Sequence, residues 1–482
     1  MKQFHKIYLL IFLVASASCK KDLNVLPTTQ EVNGNIIVDK QSAETALNGI
    51  YYLFALGGRD PNNIQSTEWF TVNEAPPSLL SEMYTGIQYA GTDLSAHVIQ
   101  PTSTSVSSLW TYGYAIVNAA NGFFENIAPV TGIDAADKRE MMAEAYFLRA
   151  YANAQLLFYF GQYNDETSNY GIPLRIDFIT TSNIDLPRST VQECYNSIFA
   201  DLDSAIAGLP NLNTYNYYAN VWTAKLLEAR VLMVRGAGGD YTQAISLCQD
   251  IIANGPFALE GNEQDIFQTK GLSSQEVMLG IEPYANQIMK FQYYYGQYQS
   301  YLAGTLMVSL FQNDPRSAWI DRPGINAYGA AANYATKYYS GGDLTNYLNL
   351  QPETLTENSY VFRLTEAYLL EAEAITASGG SLGDAKTLLE TVLQHAGFTD
   401  FSQVNAITTA SALQLAIVEE EMKNFVGEAG QDWLAVRRLP LSTLQQLIPS
   451  ITSATQLILP IPDAEMTGNA DLKGMQNPGY GN

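Results

Sequence analysis

Residues 141–160 read MMAEAYFLRAYANAQLLFYF, and this stretch decides the fold. Its central heptapeptide is Glu144-Ala145-Tyr146-Phe147-Leu148-Arg149-Ala150. The unit returns late in the chain as Glu366-Ala367-Tyr368-Leu369-Leu370-Glu371-Ala372. A looser echo, Lys225-Leu226-Leu227-Glu228-Ala229-Arg230-Val231, lies between them. In each, small Ala residues alternate with large apolar ones at helical spacing. Ala lets a neighbouring helix approach closely, and the large side chains fill the groove beside it. Recurrence of such a unit is the mark of stacked helical hairpins. The expected fold is therefore mainly α, with tetratricopeptide-like helical hairpins forming a scaffold. Tyr146, Phe147, Phe158, Tyr159 and Tyr368 are expected to fill its core.

Working outward, residues 42–56 and 107–127 show the same helical periodicity, and Gly57-Gly58 stops the first of these helices. Thr190 and Glu193 have capping-box spacing at the head of a helix that ends near Gly208-Leu209-Pro210. A hairpin is expected from Val221 to Arg235 and from Asp240, as N-cap, to Gly255-Pro256. A second spans 362–378 and 383–395, and a further helix runs over 411–425. Residues 170–174 look like a short strand, and the chain after 425 looks loop-like.

Two long stretches lack this periodicity. Residues 57–106 carry Pro61, Pro76, Pro77 and Pro101, with Trp69, Phe70, Tyr84 and Tyr89 among them. Residues 284–340 hold Tyr293-Tyr294-Tyr295, Tyr298, Tyr301, Trp319 and Tyr328, with Gly scattered throughout. They are expected to form a loop-rich irregular subdomain with short strands. Loops of this length in a compact domain are usually functional.

The N-terminus, MKQFHKIYLLIFLVASASC, has a basic start, an apolar run too short to span a bilayer, and small residues leading into Cys19. This is the pattern of a bacterial lipoprotein signal, with Ser16 where Leu is usual. Residues 1–18 are expected to be removed, and the Cys19 thiol to carry acyl chains as a membrane anchor. Residues 19–35 would be a tether, and 36–482 a single domain. Cys194 and Cys248 are expected to be buried free thiols.

Net charge is −23, and charged residues make up 15% of the chain, below the roughly 25% usual in soluble proteins. An acidic chain without a Lys/Arg cluster is unsuited to nucleic acid. The surface must be rich in uncharged polar groups and in the 31 Tyr, which suits neutral hydroxylated ligands. No His-Glu-x-x-His, P-loop or Gly-x-Ser-x-Gly pattern appears. Glu419-Glu420-Glu421 is expected to be a solvated helix face, and His395 a cationic helix cap. No cofactor or metal site is indicated. A structural Ca²⁺ among the acidic loops stays open, without an Asp-x-Asp-x-Asp-Gly loop to hold it.

Several motifs in order resemble one family. Arg188-Ser189-Thr190-Val191-Gln192-Glu193 precedes Asp201-Leu202 and Leu209-Pro210. Asn313-Asp314-Pro315-Arg316 forms an Asp-Pro-Arg turn. Glu419-Glu420-Glu421-Met422 leads to Gly430-Gln431-Asp432-Trp433 and Arg437-Arg438. The tail holds Leu459-Pro460-Ile461-Pro462 and Gln476-Asn477-Pro478-Gly479-Tyr480. Together, behind a lipoprotein signal, these resemble the SusD/RagB family across essentially the whole chain. The resemblance implies a surface-exposed, glycan-binding, outer-membrane lipoprotein that is not an enzyme. It also implies a partner, a SusC-like TonB-dependent transporter that receives the captured oligosaccharide.

Sugars offer apolar faces to aromatic rings and hydroxyl edges to polar side chains. The ligand-binding candidates are therefore the loop aromatics Trp69, Tyr84, Tyr89, Tyr293, Tyr294, Tyr295, Tyr298 and Tyr328, with Arg59 and Asn73 as polar partners; no residue is a catalytic candidate. Two other readings stand beside glycan capture: a tetratricopeptide-like scaffold binding peptides for uptake, and a surface glycosidase using two carboxylates.

Overall fold

The computed structural model describes residues 36–58, 65–87 and 90–481. The signal and tether (1–35), Cys19, Arg59 and Tyr89 lie outside the described residues. Among the described residues nine long helices carry the scaffold: α1 Lys40–Phe54, α2 Thr104–Ile127, α3 Ala135–Phe160, α4 Val191–Gly208, α5 Val221–Arg235, α6 Asp240–Asn254, α7 Leu364–Ala377, α8 Leu382–His395 and α9 Ala410–Phe425. From α2 to α8 each helix packs on the next, α1 lies against α2 and α3, and α9 lies against α7. About a hundred residues separate α6 from α7, yet these two are direct neighbours, so the intervening segment projects from an unbroken helical stack.

The helix from the opening stretch, α3, is the central one. It starts a turn and a half earlier than its apolar pattern, where Asp134 accepts the Ala136 N–H at 2.8 Å. Every residue from Ala150 to Phe160 is buried, the pattern of a helix covered on all sides. Arg149 joins three helices. It makes a bidentate pair with Asp201 on α4 (2.8 and 2.6 Å) and donates to Asn121 on α2 at 2.7 Å. The repeated unit is itself cross-linked, since Arg230 of the α5 echo pairs with Glu366 of the α7 copy at 2.7 and 2.8 Å in the dry interior.

Three two-stranded antiparallel pairs organise the irregular region. β1 Tyr84–Gly86 pairs with β3 Tyr301–Ala303, β2 Val277–Ile281 with β6 Ser359–Arg363, and β4 Asp321–Ile325 with β5 Ala331–Ala335. The main apolar core runs from Ile37 to Leu472, with smaller clusters around Leu389 and around Phe267. Cys194 and Cys248 are buried and free.

Buried cations clamp this region to the scaffold. Arg316 of the Asp-Pro-Arg turn holds Asp314 (2.8 and 2.7 Å), Glu420 of α9 (2.8 and 3.0 Å) and Glu263 (3.3 Å). Arg363 bridges Glu428 and Glu276 at 2.7 Å each, and Lys337 also binds Glu428. Arg188 donates to the carbonyls of Gly171, Phe160 and Met475 and to Asn477 Oδ1, which explains why its motif travels with the Gln-Asn-Pro-Gly-Tyr tail.

Several expectations need correction. Glu420 and Glu421 are buried in ion pairs with Arg316 and Arg438 rather than solvated. His395 is buried with Nε2 3.0 Å from Glu276, so it is an ion-pair partner rather than a surface cap. Gly239 occupies the N-cap of α6, and Asp240 instead receives Arg235 and the Ala237 N–H. Phe362 belongs to β6, so α7 begins at Leu364. Residues 170–174 form no strand, although Gly171 and Ile172 are bonded to Ser189. The segment after α9 holds short helices at Gln431–Val436, Leu441–Leu447 and Asp463–Gly468.

Candidate functional site

The two aperiodic stretches meet. β1 comes from the first and β3 from the second, with Tyr84 opposite Ala303 and Gly86 opposite Tyr301. The buried Gln287 pins them again: its Oε1 accepts the Thr67 N–H at 2.8 Å, and its Nε2 donates to Thr67 O at 3.3 Å and to Glu357 at 3.0 Å. Beneath lies a dry ion pair, Lys290 to Glu74 at 2.8 Å. Burial pulls the Lys290 ammonium below its ordinary value and pushes the Glu74 carboxyl above its own, and their mutual attraction opposes both shifts. Removing either partner would strand a buried charge, so this junction is rigid.

The ligand candidates divide by burial. Trp69, Tyr84, Tyr294, Tyr295 and Asn73 are interior residues, which corrects their assignment to a ligand face. Trp69 Nε1 donates to the Tyr112 hydroxyl at 3.2 Å, and its ring packs edge-on to Phe54. Tyr84 packs edge-on to Tyr294 at 5.7 Å, and Tyr295 stacks on Tyr339 at 4.7 Å while donating to Ala335 O. Asn73 Nδ2 reaches back to Trp69 O. An irregular segment has no apolar helix face, so it must bury its aromatic rings to hold together. Tyr293 is half-buried between Phe70 (5.5 Å) and Tyr298 (5.1 Å). Tyr298 (48% exposed) and Tyr328 (59% exposed) reach solvent. Gln299 accepts the Ala327 N–H at 2.6 Å, which brings the two tyrosine-bearing turns to one rim.

A groove of about 630 Å³ opens along this junction. Tyr52, Thr67, Glu282, Tyr284, Asn286 and Asn358 line it. Tyr52 leaves α1 away from the buried stripe of Ala43, Leu47, Ile50, Tyr51 and Phe54, and is 44% exposed. Gly57-Gly58 does more than stop α1. A Cβ on Gly57 would sit 2.5 Å from the Tyr52 ring, and Gly58 has φ +66° with the Tyr52 hydroxyl 1.9 Å from its Cβ position. Only glycine lets the chain cross this ring. The Tyr284 hydroxyl titrates above its ordinary value, chiefly through partial burial and then through the neighbouring Tyr52 hydroxyl.

A tyrosine cluster missed in the sequence lies beside the groove. Tyr215 and Tyr217 stack at 4.9 Å with rings 7° apart, and Tyr218 follows at 4.9 Å. Asn216 anchors this run, its carbonyl accepting the Gly280 N–H of β2 at 2.9 Å and its side chain donating to the carbonyl of Leu272, which lines the groove. The sequence signals for these rings are a Tyr off the apolar stripe of α1 and the Asn-Thr-Tyr-Asn-Tyr-Tyr run at 213–218.

A groove with ring faces, amides, hydroxyls and one carboxylate can stack and hydrogen-bond a polyhydroxylated ligand. Among the described residues no group of three or more His, Cys, Asp or Glu is arranged to hold a metal ion, and no helix is long and apolar enough to cross a membrane.

Comparison with known proteins agrees with the geometry. Residues 28–233 match a family described as "Starch-binding associating with outer membrane", and residues 284–449 match the SusD family. A SusD-like protein of Bacteroides ovatus is 23% identical over 326 residues, which is 59% of this chain and 58% of the relative. SusD-like protein P25 of Formosa agariphila is 23% identical over 37% of this chain and 32% of its own length. The chain thus spans between a third and three-fifths of these curated relatives. The solved structure of a SusD superfamily protein from Bacteroides thetaiotaomicron superposes with TM-score 0.73 at 20% identity, covering 92% of this chain and all of that one. A laminarin-binding SusD-like protein (TM-score 0.70, 20% identity, 92% and 100% covered) and NanU of B. fragilis (0.71, 19%, 95% and 100%) share the fold. The chain belongs to the SusD/RagB family.

Proposed function

We propose that this protein captures a glycan in the Tyr52–Tyr284 groove, without chemistry on it, and hands it to a SusC-like TonB-dependent transporter in the outer membrane. The observation that carries the reading is the convergence of two loop stretches, pinned by Gln287 and the Lys290–Glu74 pair, on a groove edged by solvent-facing tyrosines. A preformed site spends little binding energy on ordering itself. Tyr298 and Tyr328, on their own rim, extend the surface available to a longer oligosaccharide. One structural relative is a laminarin-binding protein, and the family description names starch, so neutral glucans belong in the panel of ligands to be tested. Cys19 carries the lipid that keeps the body at the outer membrane, with residues 36–482 folding as one domain behind the tether.

Titration calorimetry against soluble polysaccharides tests this. At least one should bind, and Tyr52→Ala and Tyr284→Ala should each weaken it about tenfold or more, as loss of a stacking ring does. Binding of peptides with no binding of any glycan would replace this reading with the peptide-uptake scaffold. Reducing sugar released on long incubation would replace it with a glycosidase.

A further inference from the structure

The groove also carries information on the kind of sugar it takes, an inference that rests on the capture reading above. Among its described lining residues Glu282 is the one charged side chain, and none is Lys or Arg. Glu282 is solvent-facing and follows directly on Ile281, the last residue of β2, which is fixed opposite Ser359 of β6. Its position is therefore set by a strand pair. Tyr52 and Tyr284 line the same groove. Beside the groove, Tyr217 has its hydroxyl held above the ordinary value, by partial burial first and then by the Glu282 charge.

A carboxylate set among tyrosine rings matches one chemical group above others. An ammonium gains Coulomb attraction from the carboxylate and quadrupole attraction from the ring faces. A neutral hydroxyl gains neither to the same degree. A carboxylated or sulfated sugar is repelled both by Glu282 and by the overall charge of −23. We propose that the groove takes a glycan bearing free amino groups, with the ammonium of an amino sugar paired to Glu282 between Tyr52 and Tyr284. The site then ranks sugars by charge: amino above neutral, neutral above acidic.

Calorimetry with glucosamine oligomers and their fully N-acetylated counterparts of equal length tests the ranking. At low salt the amine form should bind roughly three- to tenfold tighter. The advantage should shrink at high salt, because an exposed pair is screened. Glu282→Gln should lower the affinity for the amine form by the larger factor and bring the two oligomers to equal affinity. Equal affinities for the two oligomers overturn the inference. So does an advantage that survives in Glu282→Gln, which would trace it to the diffuse acidity of the whole protein. Loss of all oligosaccharide binding, neutral and amino alike, by a chain that stays folded would instead defeat the capture reading itself.

Discussion

Arg316→Met should cost about 3–5 kcal/mol of stability at pH 7, and its pH dependence should run opposite to that of the parent. The side chain of Arg316 is buried, and its guanidinium meets three carboxylates. Met keeps most of the volume and removes the charge. Asp314 and Glu420 are then left in the interior with Lys423 as their ion-pair partner, 3.1 Å from Asp314 and 2.8 Å from Glu420, while Glu263 loses its direct ion pair. That remaining cation places the loss toward the lower end of the range. In the parent, burial pushes Asp314 and Glu420 upward, but Arg316 more than offsets it and both sit below their ordinary values. Their contribution is therefore present above the unfolded-state values near 4 and is lost as pH falls through the folded values. In the variant the burial is unopposed by Arg316 and the same carboxyls rise above those values. The folded state then binds more protons than the unfolded state, and stability falls as pH increases above about 4.5. Urea midpoints read by circular dichroism at pH 4.5, 6 and 7.5 should show the two proteins closest at the acid end and furthest apart at the neutral end. A loss below 1 kcal/mol at pH 7, or parallel curves, would refute the claim that one buried guanidinium holds the Asp-Pro-Arg turn to α9.

Other outcomes follow from the same geometry. Glu144, at 2.5 Å from the Tyr51 hydroxyl, is raised to about 7 by burial despite that bond. Its protonated form favours the fold, so stability should decline from pH 5 to pH 8, and Glu144→Gln should flatten that decline by about 2 kcal/mol. Arg188→Lys should free the tail, because an ammonium cannot reach the Gly171, Phe160, Met475 and Asn477 acceptors together; limited proteolysis should then cut near Met475 in the variant and not in the parent. Gly58→Ala forces a Cβ onto the Tyr52 hydroxyl at positive φ, costing about 1–2 kcal/mol and weakening glycan titrations along with Tyr52. Cys19→Ala should move the protein from the membrane fraction to the soluble one, and unchanged partition would remove the anchor.

The helical scaffold was legible because periodicity and caps are local. The Thr190–Glu193 capping box forms as spaced, and α5 spans Val221–Arg235 as its flanking signals indicate. What was not legible depended on partners far along the chain. Nothing near Glu420 announces that Arg316, 104 residues away, will draw it inside. Phe362 carries helical spacing, yet strand pairing with Leu279 claims it. The burial of several ligand candidates has a related reason. The tyrosine run 293–295 is dense enough in the sequence to suggest a ligand face, yet Tyr294 and Tyr295 pack as the core of their own loop. The tyrosines that do face the groove, Tyr52 and Tyr284, stand beside it as isolated residues, one on a helix taken for scaffold.

Buried cations do in the irregular region what apolar faces do in the helical stack. Of 25 Lys and Arg in the sequence, Arg188, Arg230, Lys290, Arg316, Lys337, Arg363 and Arg437 are buried. Six of these seven lie on, or bind to, the irregular region and the C-terminal tail: Lys290, Arg316, Lys337 and Arg363 belong to the segment between α6 and α7, and Arg188 and Arg437 hold the tail. A segment without periodic apolar faces cannot be fixed by hydrophobic burial alone, and bidentate guanidinium pairs supply the direction that apolar contact lacks. Each clamp takes its carboxylates inside with it: Arg316 buries Asp314, Glu420 and Glu263, and Arg363 with Lys337 buries Glu276 and Glu428. The clamps therefore hold the loops in register without setting the charge of the ligand face. That charge is local: Glu282 is the one charged side chain among the described residues lining the groove, and it is why acidic sugars should be the ligands the groove excludes most strongly.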